Sequence, residues 1–160
     1  MVTMQLPAPR GFDSEEQEAF LRLWRAYDRL RALEDAVFSE FELTAQQYNL
    51  LRLLNADHPE PASATSLVTR MVSRAPDVSR MLDRLEERWL IQRVRQQDDR
   101  RAIRVSITPL GTELLERIAE PIRTCHRHQL GHLTKAELSA LIALLHRVSE
   151  PHEPDGSPWK

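Results

Sequence analysis

The chain of 160 residues contains a single cysteine, Cys125, so no internal disulfide can hold it and a reducing cytoplasm is its expected setting. Its four glycines leave little scope for a phosphate-cradling or Gly-rich catalytic loop. No apolar run approaches the roughly 20 residues needed to cross a bilayer. Met1 to Gly11 lacks the basic-then-apolar order of a secretory signal, so no membrane association is expected. No nucleophile–base pairing or carboxylate constellation stands out, and we expect neither an enzyme nor a cofactor. Lysine is scarce as well. Of 22 basic residues only Lys135 and Lys160 are lysines. Arginine suits planar, bidentate contacts to phosphate and guanine, although heavy arginine use can equally reflect genome composition.

What is present is an ordinary globular mixture, 41% hydrophobic and 29% charged. The net charge of −2 conceals an asymmetry along the chain. Residues 70–104 hold ten arginines against six carboxylates, a local +4, and the remainder carries −6. One polyanion-facing patch on an acidic body fits that distribution.

Hydrophobic periodicity predicts six helices and one β-hairpin between Pro-rich tails at 1–12 and 150–160. The first helix runs from about Asp13 to Phe38. Its residues Phe20, Leu23, Trp24, Tyr27, Leu30 and Leu33 form one stripe at i, i+3, i+4, i+7 spacing. Thr44 and Gln47 form a capping box, with Leu43 placed to staple onto Tyr48, and Thr134 and Glu137 repeat the device. A short helix follows Pro61. The next has Pro76 in or near its first turn, an apolar face of Val78, Met81, Leu82 and Leu85, and Asp77, Arg80 and Arg84 elsewhere on its surface. Beyond Leu90 the period changes to two. Ile103, Val105 and Ile107 alternate with Arg104 and Ser106, and Ile91 to Gln96 is the expected antiparallel partner. Thr108 and Pro109 open a long helix carrying Leu114, Leu115, Ile118 and Ile122, and the last helix carries Leu141, Leu145 and Val148.

A short helix, a turn, an arginine-bearing helix and a hairpin with a basic tip suit duplex DNA. A helix fits the major groove, where each base pair shows a distinct donor and acceptor pattern. A hairpin beside it can lay an arginine into the narrower, more negative minor groove. The stretch Asp99-Arg100-Arg101-Ala102-Ile103-Arg104-Val105-Ser106-Ile107-Thr108-Pro109-Leu110-Gly111 resembles the wing signature of the MarR family, with an Asp-x-Arg tip, an alternating strand, a Thr and a Gly three positions later. Pro76 to Leu90 is similar to that family's recognition helix. The resemblance covers roughly residues 13–149. It implies a mainly α fold with a small β-hairpin wing, built as a winged helix-turn-helix at 43–109 between dimerisation helices at 13–42 and 110–149.

The resemblance further implies a homodimer on a pseudo-palindromic operator, often a repressor released by small aromatic or anionic effectors. It makes Arg101 the candidate minor-groove arginine with Asp99 orienting it, Arg100 beside them at the tip, and Ser79, Arg80 and Arg84 candidates for the major groove. Arg74, Arg93 and Arg95 are candidates for the phosphate backbone. Solvated surface charge is the alternative for each. Trp24, Tyr27 and Tyr48 either line an effector pocket or belong to the core. Where the family usually has Gly after the recognition helix, this chain has Trp89. Either the turn differs there, or packing of the Trp offsets the strain of a left-handed residue.

His128 and His132 lie four apart near His126, a spacing that can hold zinc. No His in the first two helices completes such a set, so a polar surface is expected and no metal site. Cys125 is expected to be a buried, inert thiol. A winged helix used for protein–protein contact is the rival reading; exposed apolar residues on the fourth helix would favour it, whereas Arg80 and Arg84 favour DNA.

Overall fold

Each of the six α-helices among the described residues begins on a side chain that accepts from the amide three residues on: Ser14, Thr44, Ser63, Asp77, Thr108 and Thr134. Both expected capping boxes form. In this computed structural model, which describes residues 11–73, 77–95 and 103–160, the helices are α1 (Glu15–Glu40), α2 (Ala45–Asp57), α3 (Ala64–Arg70), α4 (Val78–Glu87), α5 (Pro109–Leu130) and α6 (Lys135–Ser149). The strands are β1 (Ala62–Ser63), β2 (Ile91–Arg95) and β3 (Ile103–Ile107). Asp77 caps α4 rather than lying within it, and Pro76 is outside the described residues. Residues 150–160 carry a 3-10 turn at Glu150–His152 and an ion pair between Lys160 and Asp155 at 2.7 Å.

The hairpin pairs in the register that alternation predicts, with Ile91 opposite Ile107 and Arg93 opposite Val105. A third strand joins it. Ala62 pairs with Val105 and Ser63 with Arg104, giving an antiparallel sheet in the order β1-β3-β2. Two residues are too few to show a period, and Ser63 also caps α3, so the segment reads as a helix start. The core gathers Leu50, Leu51 and Leu54 of α2, Leu67 of α3, Leu82 and Leu85 of α4, and Ile118 of α5 over the inner face of the sheet. The N-terminal arm of the fold, α1, packs on α5 and α2, where Gln129 donates to the Leu30 carbonyl at 2.7 Å.

Two helices end in the same way. After α1, the Leu43 amide bonds the Phe38 carbonyl and the Glu42 amide bonds that of Ser39; after α4, Leu90 bonds Leu85 and Trp89 bonds Glu86. Both are Schellman turns, with buried Phe38–Leu43 and Leu85–Leu90 pairs as their apolar contacts. The left-handed residues are Glu42 (φ 54°) and Trp89 (φ 58°). The turn after α4 thus keeps the geometry that usually calls for Gly, and Trp packing does not offset it, since Trp89 is 77% exposed. Backbone bonds hold it instead. Thr108 donates its hydroxyl to the Trp89 carbonyl at 2.6 Å and its amide to the Leu90 carbonyl at 3.1 Å. Gly111 lies so close to the Leu90 carbonyl and Ile107 that a Cβ there would collide with both.

Trp89→Gly is expected to stabilise the chain. Removing the left-handed Cβ gains roughly 1–2 kcal/mol, and the added freedom of Gly in the unfolded chain returns about 0.5–1 kcal/mol. Thermal unfolding should shift upward by roughly 2–4 °C per kcal/mol retained. Trp89→Ala, which keeps the Cβ, should not gain. An equal rise in both variants would place the strain in the indole.

Candidate nucleic-acid interface

The helix-turn-helix is held together by polar contacts between its elements. Arg70, at the end of α3, grips the Asp57 carboxylate at the end of α2 through two bonds of 2.6 and 3.0 Å. The Asn49 side-chain oxygen on α2 accepts from the Val72 amide at 3.2 Å, fixing the chain that leads towards α4. The buried Leu82 and Leu85 settle which side of α4 faces outward: Ser79, Arg80, Asp83, Arg84 and Glu87.

Arg80 reaches back to its own cap, Asp77, at 3.2 Å, yet its side chain stays 72% exposed. An exposed i, i+3 pair of this kind contributes little and gives way readily to a phosphate or base edge. Arg84 makes no ion pair among the described residues. Arg80 and Arg84 share a shallow groove of about 290 Å³ with Thr44, Gln46 and Gln47, at the start of α2. The structure therefore brings Ser79, Arg80 and Arg84 onto one outward helix face. Arg74, Asp99, Arg100 and Arg101 lie outside the described residues, as does the side chain of Arg95.

Arg93 is placed differently from a free surface cation. Its guanidinium bonds Asp83 at 2.6 Å and Glu86 at 2.8 Å, and its amide bonds Glu86 at 3.1 Å. The Asp83 hydrogen bond and the charge of Glu86 raise its pKa against the opposing desolvation. Arg93 is thus a strut from β2 to α4. The signal was a pair of acidic residues three apart on α4, facing a strand whose register was already legible. Sequence reasoning also missed the inward roles of Arg70, of Arg104, which donates to the Pro61 carbonyl at 3.1 Å, and of Arg88, which donates to the end of α1.

The three aromatic candidates divide between two hollows. Tyr27 and Tyr48 line a cleft of about 230 Å³ together with Arg31, Glu34, Arg52 and His126. Trp24 and Tyr27 line an open apolar hollow of about 980 Å³ with Phe20, Leu145, Val148 and Trp159. Tyr48 stacks near Phe38 with ring centroids 4.7 Å apart, and burial raises its pKa despite the charge of Arg52. His126 meets Glu34 at 2.9 Å, joining α5 to α1. Cys125 is buried, and desolvation followed by the charge of Glu34 raises its pKa, which disfavours the reactive thiolate.

A sequence model described as the MarR family matches residues 43–103. The HTH-type transcriptional regulator PecS of Dickeya dadantii is 31% identical over 121 residues, covering 75% of this chain and 72% of PecS. Among solved structures, a MarR transcription factor from Planctomyces limnophilus is 49% identical with a TM-score of 0.68, covering 84% of this chain and 98% of that one. BpsR of Bordetella bronchiseptica, whose DNA binding is regulated by 6-hydroxynicotinic acid, is 27% identical with a TM-score of 0.73, covering 82% and 98% respectively.

The strut assignment for Arg93 is testable. Arg93→Met should lower the denaturant midpoint, because it leaves two carboxylates without their cation. The slope of log affinity for a duplex against log salt should stay unchanged. A slope reduced by about one would show instead that Arg93 leaves its carboxylates for a phosphate.

Proposed function

The chain belongs to the MarR family and is a transcriptional regulator with a winged helix-turn-helix rather than an enzyme, and we propose that it acts in the cytoplasm as a ligand-responsive, homodimeric repressor of a pseudo-palindromic operator. One observation carries the DNA part: the exposed, N-capped α4, with Ser79, Arg80 and Arg84 outward, stands beside a hairpin strutted to it by Arg93. In that reading Ser79, Arg80 and Arg84 meet the major groove. By family resemblance, Arg101 enters the minor groove with Asp99 orienting it, and Arg74, Arg95 and Arg100 serve phosphates. Arg93 holds the wing to α4 in place of a phosphate contact.

The dimer reading rests on unburied apolar surface. No residue of α6 is buried, although Ile142, Leu144, Leu145 and Val148 are apolar, and Phe20, Leu23, Trp24 and Tyr27 stand exposed on α1. A continuous apolar face of that kind on two capped helices calls for cover. A second copy brings its own equivalent face to a two-fold.

For the effector, the cleft of Tyr27 and Tyr48 offers aromatic walls and two guanidinium groups, Arg31 and Arg52, a chemistry that suits a small aromatic anion. BpsR's regulation by 6-hydroxynicotinic acid supports that class. Val72 and Ser73 also line the cleft and lead into α4, so an occupant would bear on the approach to the recognition helix. It weakens DNA binding only as far as it prefers the non-binding arrangement. Salicylate-like acids are the first probes.

Sedimentation should give a dimer at micromolar concentration, and footprinting on a site selected from random duplexes should show inverted half-sites about 10 base pairs apart. A monomer, or direct repeats, would overturn this reading. On that site Arg84→Ala should weaken binding by roughly 1–3 kcal/mol and relax preference at one position. Arg101→Ala should weaken all duplexes alike and lower the salt slope by about one. Affinity unchanged in Arg101→Ala at every salt concentration would remove the wing from the interface.

A further inference from the structure

The last turn of α1 contains no basic residue, although the negative end of a helix favours one. The cation comes from elsewhere in the chain. Arg88, the C-cap of α4, donates Nη1 to the Glu42 carbonyl at 2.5 Å and Nη2 to the Phe41 carbonyl at 3.1 Å. The Glu42 carboxylate stands 3.9 Å from the same guanidinium. Both acceptors belong to the left-handed turn that ends α1, and Arg88 immediately precedes the left-handed Trp89. One planar fork therefore ties two Schellman turns to each other. Among the described residues, these are the hydrogen bonds that join α1 and its closing turn to α4 and its own.

We propose that Arg88 is a positioning residue for operator recognition, fixing the angle between α1 and α4 without touching DNA. The proposal rests on the dimeric, operator-binding reading above. Arg88 lies ten residues beyond the first residue of α4, Val78, about 15 Å along the axis. Its donors point at backbone carbonyls of its own chain. If α1 belongs to the dimer core and α4 reads the half-site, the fork sets how the reading helix projects from that core. Binding to an operator requires both half-sites in register at once. Contact with phosphates of any sequence tolerates a tilt.

Arg88→Met keeps the aliphatic stem and removes the donors. The test is anisotropy of the full chain on the selected operator and on a random duplex, across salt, at a temperature where circular dichroism shows each variant folded. Operator affinity should fall about tenfold, within the range by which residues remote from a ligand modulate its binding. Random-duplex affinity and both salt slopes should match the parent chain, which a phosphate contact or a loss of folded protein would not give. An operator affinity equal to the parent's overturns the proposal, and so does a salt slope lowered by about one. Should Arg88→Met fail to fold, Arg88→Lys serves. Its compact ammonium lacks the planar fork, so selective loss on the operator is expected and parental binding overturns the proposal. A parent chain with no operator preference would overturn the operator reading and this proposal with it. Preference retained in the Arg88 variants overturns this proposal alone.

Discussion

The chain reverses at Trp89 and Leu90, and three elements take their positions from the bonds made there. Leu90 closes α4 by returning its amide to Leu85, and its carbonyl receives the Thr108 amide at the foot of β3. Thr108 also caps α5 and donates to the Trp89 carbonyl. Gly111, in the first turn of α5, backs onto the same Leu90 carbonyl with no room for a side chain. The end of the recognition helix, the root of the wing and the start of the long helix therefore meet at one backbone carbonyl. The Thr and Gly of the wing signature have a plain physical reason: one supplies two donors to the turn, and the other lets the helix approach it.

The basic stretch between residues 70 and 104 takes on a different character once its partners are visible. Arg70, Arg88, Arg93 and Arg104 donate to carboxylates or carbonyls within the chain. Arg80 and Arg84 face out. Local charge density thus overstates how many cations are available to a polyanion. Arginine suits both uses for one reason, since its planar set of donors meets two oxygens at once, as Arg70 does with Asp57 and Arg88 with two carbonyls.

Local signals were legible in the sequence, and long-range ones were not. The capping boxes at Thr44 and Thr134, the alternation through Val105 and the apolar face of α4 each depend on residues within a few positions of one another, and each appears as read. Strand β1 escaped because a two-residue strand has no period and draws its partner from more than forty positions away. Arg88 drew no reading because the carbonyls it meets lie more than forty positions away, and Arg93, a candidate for the phosphate backbone, meets carboxylates that only the packing of β2 on α4 brings to it. Trp89 shows the opposite case. Its neighbours specify the turn strongly enough that the backbone adopts a left-handed geometry against the preference of the residue placed there. The aromatic trio was legible as aromatic, but its division between two hollows follows from which helices line each, α1 with α2 in one and α1 with α6 in the other.

The three tryptophans fall into two optical classes. Trp24 and Trp159 stand in the apolar hollow beside α6, so an apolar surface laid over that hollow would desolvate both indoles and shift their emission to the blue. Trp89 is alone at the wing root, its ring in solvent while its carbonyl holds Thr108. Events at the wing root thus reach a different fluorophore from events at the hollow. The residue that strains the turn also gives the protein a spectroscopic label at the junction of its recognition helix and its wing.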